Sequence, residues 1–433
     1  MNANDHRLRE NLIKKLDAAS SAERLSALDE LIALERANGL FPARRDNDSN
    51  NHIHTVYSFS PYSPVSAAYN AYLAGLTSCG IMDHDSLSGA KEFSKACRAL
   101  GMGYTCGAEV RAKFNSRHWG KINHPDQEDC VYMAAHGVPA QNIDAFNDYL
   151  SSFRAKREIR DRKMTELING KFGKFGISID FEKDVYAASR AAEGGSITER
   201  HLMNALAKKL EERFGRTGAL INFIENDLGL KVNDKQKGYL SDGDNPHFNY
   251  DLLGVLKADT KFFYIDADEE MPDVTDFVNT AKSFGAIPAY AYLGDVGDSV
   301  TGDKRAQKFE DDFLDELIRE IKAVGIQAVA YMPTRNTEAQ LKRLRKLCAE
   351  NGLFEISGED INSPRQKFEC KALANPEYSN LIDSTWALIG HERASENGTE
   401  YGMFARNATE KFPDLKERIK VFAGIGHDSV NKY

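Results

Sequence analysis

The feature that most constrains this chain is a regular alternation of short apolar runs with amphipathic segments, which starts at His52. Short apolar runs are typical of buried strands, whereas apolar residues that recur every three or four positions are typical of helices. A strand, helix, strand rhythm indicates a parallel α/β fold, because parallel neighbours need a long crossover connection. The pattern predicts strands at 52–58, 78–82, 103–110, 262–265, 286–292, 327–331 and 354–357, and helices at 65–76, 87–100, 274–284, 305–324 and 338–351.

Helical patterns interrupt and flank this alternation. Leu8, Leu12 and Leu16 recur at four-residue spacing near the start, and charged amphipathic stretches fill 141–168 and 198–214. The tail again has a helical pattern. We therefore predict four regions: an N-terminal helical extension (1–45), an α/β unit in two parts (50–139 and 251–365), a helical insertion or cap (140–250) and a C-terminal helical extension (366–433).

Composition narrows the class of protein without indicating its chemistry. Hydrophobic residues make up 42% of the 433 residues, which favours a folded core over disorder. Lys and Arg total 56 against 65 for Asp and Glu, a net charge of −9, which argues against nucleic acid or an anionic membrane as a partner. Six cysteines without a CxxC pair, and a charged N-terminus without the apolar core of a signal peptide, predict a cytoplasmic protein.

The strongest local signal is the pair of histidines at the first predicted strand. His52 and His54 are two residues apart, so in a strand their side chains point to the same face. Neutral imidazole is a common metal ligand, and two on one face can bind the same ion. Taken alone, the pattern leaves open that these are two unrelated surface histidines.

Further polar residues lie at or just after the carboxyl ends of later predicted strands. Asp83 and His84 end the second predicted strand, Glu109 ends the third, and Asp360 follows the last. The carboxyl ends of the strands form the active-site face of a parallel α/β barrel. We therefore expect these side chains to converge with His52 and His54.

This ordered set resembles the polymerase and histidinol phosphatase (PHP) superfamily of metal-dependent phosphoesterases. The HxHT motif of that family matches His52-Ile53-His54-Thr55, its TDHD motif is similar to Met82-Asp83-His84-Asp85, and its GxE motif matches Gly107-Ala108-Glu109. A segment of the family's helical insertion, RPHIAxAL, is similar to 200–206. The resemblance implies a distorted seven-stranded β/α barrel with a helical insertion and helical N- and C-terminal extensions.

Several positions depart from the family pattern. Phe59 stands where many members have an acidic ligand, and Val131 stands where a histidine often begins an apolar strand. Tyr292 replaces the histidine of the AHPG motif, and Asn362 replaces that of the closing DxH. The changed positions predict a reduced site that holds one or two ions rather than three, with Mn, Zn or Fe as the metal.

The resemblance also assigns roles within that site. His52, His54, Glu109 and Asp360 are the family's set around one metal, and His84 is expected to be a weak second ligand, a phosphate-binding group or a proton donor. We assign catalysis to His84 and Asp83. Hydrogen bonds to substrate are expected from Tyr292 and Asn362, and Asp295 is expected to bind substrate or to replace a lost ligand.

The function implied is a metal-dependent phosphoesterase. Hydroxide generated by the metal would attack the phosphorus of a small phosphorylated metabolite or nucleotide. Two alternatives stay open: a catalytically reduced PHP-like protein that binds a ligand or partner, and a metal-dependent hydrolase of a non-phosphate bond. The sequence does not indicate the oligomeric state.

Weaker candidates surround the motifs. One of His118, His124 and His136 could compensate for a missing ligand, and the polar loop 297–304 could contact substrate. A basic run at 154–163 is most often a solvated helix face, but it could also lie over the barrel mouth and attract an anionic substrate.

Overall fold

A single sheet of seven strands forms the centre of the protein. The computed structural model describes residues 1–43, 47–115, 122–124, 126–296 and 308–430. The strands lie side by side in chain order. They are β1 (Ser49–Ile53), β2 (Ser78–His84), β3 (Gly103–Lys113), β4 (Cys130–His136), β5 (Ile287–Tyr292), β6 (Ala328–Tyr331) and β7 (Phe354–Ser357).

The sheet curls into a nearly closed barrel. Strands β1 to β3 run parallel, β4 runs antiparallel to both β3 and β5, and β5 to β7 run parallel. The chain after β7 then pairs with β1: the backbone N–H of His54 donates to Ile361 O (2.9 Å), and that of Ile361 donates to His52 O (3.0 Å). The predicted seven-stranded α/β barrel is thereby confirmed.

Helices surround the barrel, fill the insertion and form both extensions. They are α1 (Ala3–Lys15), α2 (Ser21–Ala37), α3 (Pro64–Leu73), α4 (Ala90–Ala99), α5 (Ile143–Phe172), α6 (Glu199–Phe214), α7 (Gly218–Asn222), α8 (Asp234–Ser241), α9 (Phe248–Leu256), α10 (Val274–Ser283), α11 (Leu314–Val324), α12 (Glu338–Asn351), α13 (Ser379–Ser395), α14 (Arg406–Lys411) and α15 (Leu415–Val430). None of the described helices combines the length and the apolar character needed to cross a bilayer.

One predicted strand is wrong, and another takes its place. Residues 262–265 form a turn rather than a strand, and Phe263 is fully buried in a second hydrophobic cluster with side chains of the insertion. Strand β4 supplies the seventh member of the sheet instead. The apolar character of 262–265 therefore reflects packing among helices and not pairing in the sheet.

The insertion has its own hydrophobic cluster. Met164 on α5, Leu206 on α6 and Leu252 on α9 are buried in this cluster, which is separate from that of the barrel. Helices α5 to α9 thus account for the predicted helical stretch. The division of the chain into four regions stays a prediction.

The C-terminal extension supports the strands that carry the histidines and Glu109. Thr385 on α13 accepts a hydrogen bond from Asn51 Nδ2 (2.8 Å), and its hydroxyl lies 3.1 Å from Ser49 Oγ. Glu392, farther along the same helix, accepts hydrogen bonds from the backbone N–H of Cys106 (2.8 Å) and the hydroxyl of Thr105 (2.9 Å). Helix α13 therefore supports β1 and β3 near their amino ends.

Candidate metal centre

Three predicted ligands meet at the carboxyl end of the first strands. His52 and His54 come from the end of β1 and the residue after it, and Glu109 comes from the parallel strand β3. The two Nε2 atoms are 3.2 Å apart, and Glu109 Oε2 lies 3.8 Å from that of His52 and 3.9 Å from that of His54. One ligand atom from each of the three lies within 4.8 Å of the others, a spacing that could hold a metal ion.

Two further predicted residues join this group. Asp360 Oδ1 lies 3.3 Å from His54 Nε2, because the pairing of Ile361 with β1 brings the end of the barrel back to its beginning. His84 Nδ1 lies 3.0 Å from Glu109 Oε2, and the two residues are register partners in β2 and β3. Imidazole nitrogens and carboxylate oxygens suit a divalent transition-metal ion, so the donor set fits the expected metal.

The charges of these side chains are strongly coupled. Burial would raise the pKa of Glu109, but the adjacent His84 and His52 outweigh it and hold that pKa well below its usual value. Burial opposes ionisation of Asp360 too, yet the hydrogen bond and charge of His54 lower its pKa. Both carboxyl groups are therefore ionised at neutral pH, as ligands for a cation must be.

The histidines respond in opposite directions. Burial disfavours the charged form of His52, but the hydrogen bond and charge of Glu109 raise its pKa overall. Burial dominates at His84 and lowers its pKa despite the charge of Glu109. His84 is therefore neutral at neutral pH, the form that can coordinate a metal or accept a proton.

Asp83 lies behind His54, and both oxygens of the Asp83 carboxylate accept hydrogen bonds. Its Oδ1 accepts hydrogen bonds from the backbone N–H of Thr55 (2.7 Å) and the hydroxyl of Ser58 (2.6 Å), and its Oδ2 accepts one from the hydroxyl of Thr55 (2.6 Å). Ser58 Oγ is in turn 3.1 Å from His54 Nδ1. The catalytic role of Asp83 stays a prediction, and these contacts favour support of His54 instead. No pattern in the sequence singles out Ser58 beyond its position four residues after His54.

Tyr292 faces away from the metal centre. Tyr290 is the register partner of Met133, and Tyr292, two residues on, shares its face of the sheet. Tyr132 is on the other face, and its ring centroid is 6.3 Å from that of His84. The hydroxyl of Tyr292 donates to Asp311 Oδ1 (2.6 Å), a contact that does not favour its predicted substrate role.

The other two predicted substrate-binding residues occupy different places. Asn362 Nδ2 donates to Asp360 Oδ1 (2.6 Å), so this residue lies at the metal centre and orients one of its carboxylates. Asp295 Oδ1 accepts from the backbone N–H of Phe309 (2.6 Å), and its own N–H donates to Asp311 Oδ2 (3.0 Å). Asp295 thus contacts the segment before α11, and it shares its partner Asp311 with Tyr292.

Phe59 joins the barrel to the insertion. Its backbone has φ = 89°, a left-handed conformation that costs a non-glycine residue energy, and the side chain is nearly buried. Its ring packs edge-on against His201 of α6 (centroids 4.9 Å apart) and lies 5.5 Å from Tyr250 of α9. An aromatic ring therefore fills the position at which the resemblance implies an acidic ligand.

Of the three histidines that could compensate for a missing ligand, the two that the structure describes do not join the metal-capable group. The ring of His124 lies 4.9 Å from Tyr132, and its Nδ1 accepts from the backbone N–H of Gln127 (3.2 Å). His136 is buried at the far end of β4, has no hydrogen-bond partner among the described residues, and burial lowers its pKa to about 3. His118 and the loop 297–304 lie outside the described residues.

Two arginines of the basic run belong to a buried ionic network over the barrel mouth, so the interpretation as a solvated face is wrong for them. Arg157 contacts Asp85 (2.7 Å) and Glu270 (3.0 Å). Arg160 contacts Glu270 (2.7 Å) and Glu199 (2.6 Å), and Arg111 of β3 contacts the same two carboxylates. These contacts pair the positive charges with carboxylates and fasten α5 and α6 to the barrel.

Comparisons with known proteins support the fold. No family model matches the sequence, and neither does any curated protein. Among solved structures, the chain matches one described as a "putative metal-dependent phosphoesterase" from Bifidobacterium adolescentis, with a TM-score of 0.49 and 19% identity over 79% of this chain and 97% of that one. It also matches an amidohydrolase from Chromobacterium violaceum with bound sulfate and no metal, with a TM-score of 0.50 and 16% identity over 78% of this chain and 96% of that one. At this low identity, the likeness to the amidohydrolase shows that the two chains share a fold.

Proposed function

We propose that this protein is a metal-dependent phosphoesterase that binds one or two divalent ions. His52, His54, Glu109 and Asp360 would hold the principal ion. The observation that carries the proposal is the convergence of these four residues and His84 at the carboxyl ends of β1, β2 and β3 and at the seam beside β7. The low pKa of both carboxyl groups supports it, because ionised oxygens are what a cation requires.

The chemistry follows from what each group supplies. A divalent ion held by these residues would provide Lewis acidity, which would lower the pKa of water and polarise a phosphoryl oxygen. His84 keeps its Nδ1 against Glu109, so its Nε2 remains to accept a proton from the attacking water. Asn362 holds Asp360 in place through its amide. The proton that His84 takes up can then pass to the leaving alkoxide, and the lowered pKa of this buried imidazole favours that release.

A site with fewer than three ions agrees with its surroundings. Phe59 stands where the resemblance implies an acidic ligand, and its ring packs against His201 of the insertion. Arg157 and Arg160, which lie nearby, are already paired with carboxylates. We therefore propose a small phosphorylated substrate that is recognised mainly through the metal.

The test combines metal analysis with a substrate screen. Purified protein is analysed by ICP-MS and assayed with Mn, Zn and Fe against phosphate mono- and diesters and against amide substrates. We compare wild type with His54→Ala and Asp360→Ala, using His6→Ala and Asp276→Ala, both exposed, as matched controls. Phosphate release that both site variants abolish, and that both controls retain, supports the proposal.

Other outcomes identify the alternatives. Cleavage of amides without phosphate release would indicate a hydrolase of a non-phosphate bond. Binding of a phosphorylated ligand without turnover would indicate a catalytically reduced binding protein. Three tightly bound ions per chain would contradict the reduced site.

A further inference from the structure

The loop after β1 contains a buried chain of hydrogen bonds that ends on a predicted ligand. His54 Nδ1, Ser58 Oγ and Asp83 Oδ1 follow one another at 3.1 and 2.6 Å. All three residues are about 1% exposed. Because water is excluded from them, the direction of each hydrogen bond is fixed by the groups themselves.

On the Nδ1 side of His54, the donors and acceptors allow one arrangement. The carboxylate of Asp83 accepts from the N–H and hydroxyl of Thr55, and the hydroxyl of Thr55 accepts from the N–H of Tyr57 (3.3 Å), so its own proton goes to Asp83. Ser58 has one hydroxyl proton, and it is donated to Asp83 Oδ1 in the 2.6 Å contact. Ser58 Oγ can then only accept from His54 Nδ1.

We infer that Ser58 and Asp83 are positioning residues that fix His54 in the tautomer with the proton on Nδ1 and the Nε2 lone pair directed at the metal. A metal-ligating histidine commonly donates its other ring N–H to such a partner, which sets the tautomer and the ring orientation. The inference rests on the metal-binding part of the proposed function. It replaces the catalytic role predicted for Asp83.

The matched control is two residues away. Ser60 is also nearly buried, but its hydroxyl has no hydrogen-bond partner among the described residues. Removing this hydroxyl changes the same loop without touching His54. Ser58→Thr retains the hydroxyl and serves as the conservative rescue.

The first measurement is the tautomer of His54 in metal-free protein. Histidine labelled with ¹⁵N is observed by NMR, and the His54 signal is identified by its loss in His54→Gln. We expect His54 Nδ1 to carry a proton in wild type, Ser58→Thr and Ser60→Ala, whether or not Nε2 also shares a proton with Asp360 (3.3 Å), and to be partly unprotonated in Ser58→Ala. The second measurement is Zn²⁺ affinity by competition with a chelating dye. The Zn²⁺ affinity should fall about 10–100-fold in Ser58→Ala and in Asp83→Asn, and it should stay within about twofold of wild type in Ser60→Ala.

Several results would overturn the inference. One is an unchanged tautomer in Ser58→Ala, and another is an equal loss of affinity in Ser58→Ala and Ser60→Ala. Asp83→Asn can also disturb the loop through Thr55, so the decision rests on the two serine variants, each checked for folding by circular dichroism. The tautomer requires neither metal nor turnover, so a protein that hydrolyses no phosphoester would still pass or fail this test.

Discussion

Strands β1 to β3 and strands β5 to β6 belong to the same barrel, yet they direct different side chains toward its interior. On β1 to β3 the inward residues include His52, His84 and Glu109. On β5 and β6 they are alanines: Ala289 lies opposite both Ala134 of β4 and Ala328 of β6, and Ala134 is itself opposite Glu109.

The polar groups of β5 and β6 lie on the outer face. The hydroxyls of Tyr290, Tyr292 and Tyr331 donate to Glu310 (3.1 Å), Asp311 (2.6 Å) and Glu355 (3.2 Å). Successive residues of a strand point to opposite faces, so a shift of one position decides whether a polar side chain can serve a site or a scaffold. The comparison thus predicts that changes to the inward residues of β1 to β3, the ligand-bearing half, affect metal binding. Changes to the outward residues of β5 to β7, the second half, should affect stability alone.

The largest effect on stability is expected in the buried ionic network that joins α5 and α6 of the insertion to strand β3. Glu270→Gln removes a buried charge that contacts three arginines, and we expect the free energy of unfolding to fall by about 3–5 kcal/mol. Urea denaturation measures it. Glu182→Gln, which removes the exposed partner of Arg162, should cost no more than about 1 kcal/mol. Equal losses in the two variants would show that the network does not fasten the insertion.

Within the ligand-bearing half, Glu109→Gln should weaken metal binding about 100-fold, because one of about four ligands then lacks its charge. Isothermal titration with Zn²⁺ or Mn²⁺ measures the affinity. The control is Glu355→Gln in β7. The carboxylate of Glu355 accepts a hydrogen bond from Tyr331, so this change should leave metal affinity unchanged. A similar loss in both variants would remove the distinction between the two halves.

In the second half, Glu310 should make stability depend on pH. Burial raises the pKa of Glu310 from 4.5 to about 7, against hydrogen bonds from Leu293 N–H and the Tyr290 hydroxyl that lower it. The folded state therefore holds this proton more tightly than the unfolded chain. The resulting stability is fully present below pH 4.5 and is lost as the pH rises to about 7.

The loss over this range should be roughly 1–3 kcal/mol. Urea denaturation at several pH values measures it in wild type and in Glu310→Gln, and the difference between the two curves isolates this carboxyl group. Parallel curves would mean that Glu310 does not retain its proton on folding.

The smallest effect is expected at Tyr292. Tyr292→Phe removes one hydrogen bond to Asp311 and should lower the free energy of unfolding by about 1 kcal/mol, with metal affinity and turnover unchanged. Thermal unfolding and the phosphoester assay together decide the matter. A loss of turnover at unchanged stability would instead support the predicted contact with substrate.

Much of the fold could be predicted because the strands leave a periodic signal. Six of the seven strands overlap predicted apolar runs, and helices α3, α10 and α12 fall where amphipathic patterns occur. The run at 262–265 is misleading, because apolar residues also fill the cluster of the insertion. Strand β4 pairs antiparallel to β3, so the parallel rhythm does not predict it, although the resemblance places the start of an apolar strand at Val131.

The candidate site was predictable only in part. The residues of the first three motifs lie at or next to the ends of β1, β2 and β3, and the structure brings His52, His54 and Glu109 together. Tyr292 was predicted from a motif position, although the alternation of Ala289 and Ala291 with Tyr290 already indicates which residues face outward. The role of Ser58 depends on a contact with Asp83 across 25 residues, and no local pattern reports such a contact.

The seam between β1 and the chain after β7 has a consequence for the order of assembly. His54 and Asp360 are about 300 residues apart in sequence, and they meet only when Ile361 pairs with Ile53. During synthesis the two histidines emerge early, but the fourth ligand arrives only after the last strand. A bound ion would stabilise the closed barrel at this seam. Removal of the ion should therefore speed hydrogen exchange at the amides of His54 and Ile361 before it affects the other strands.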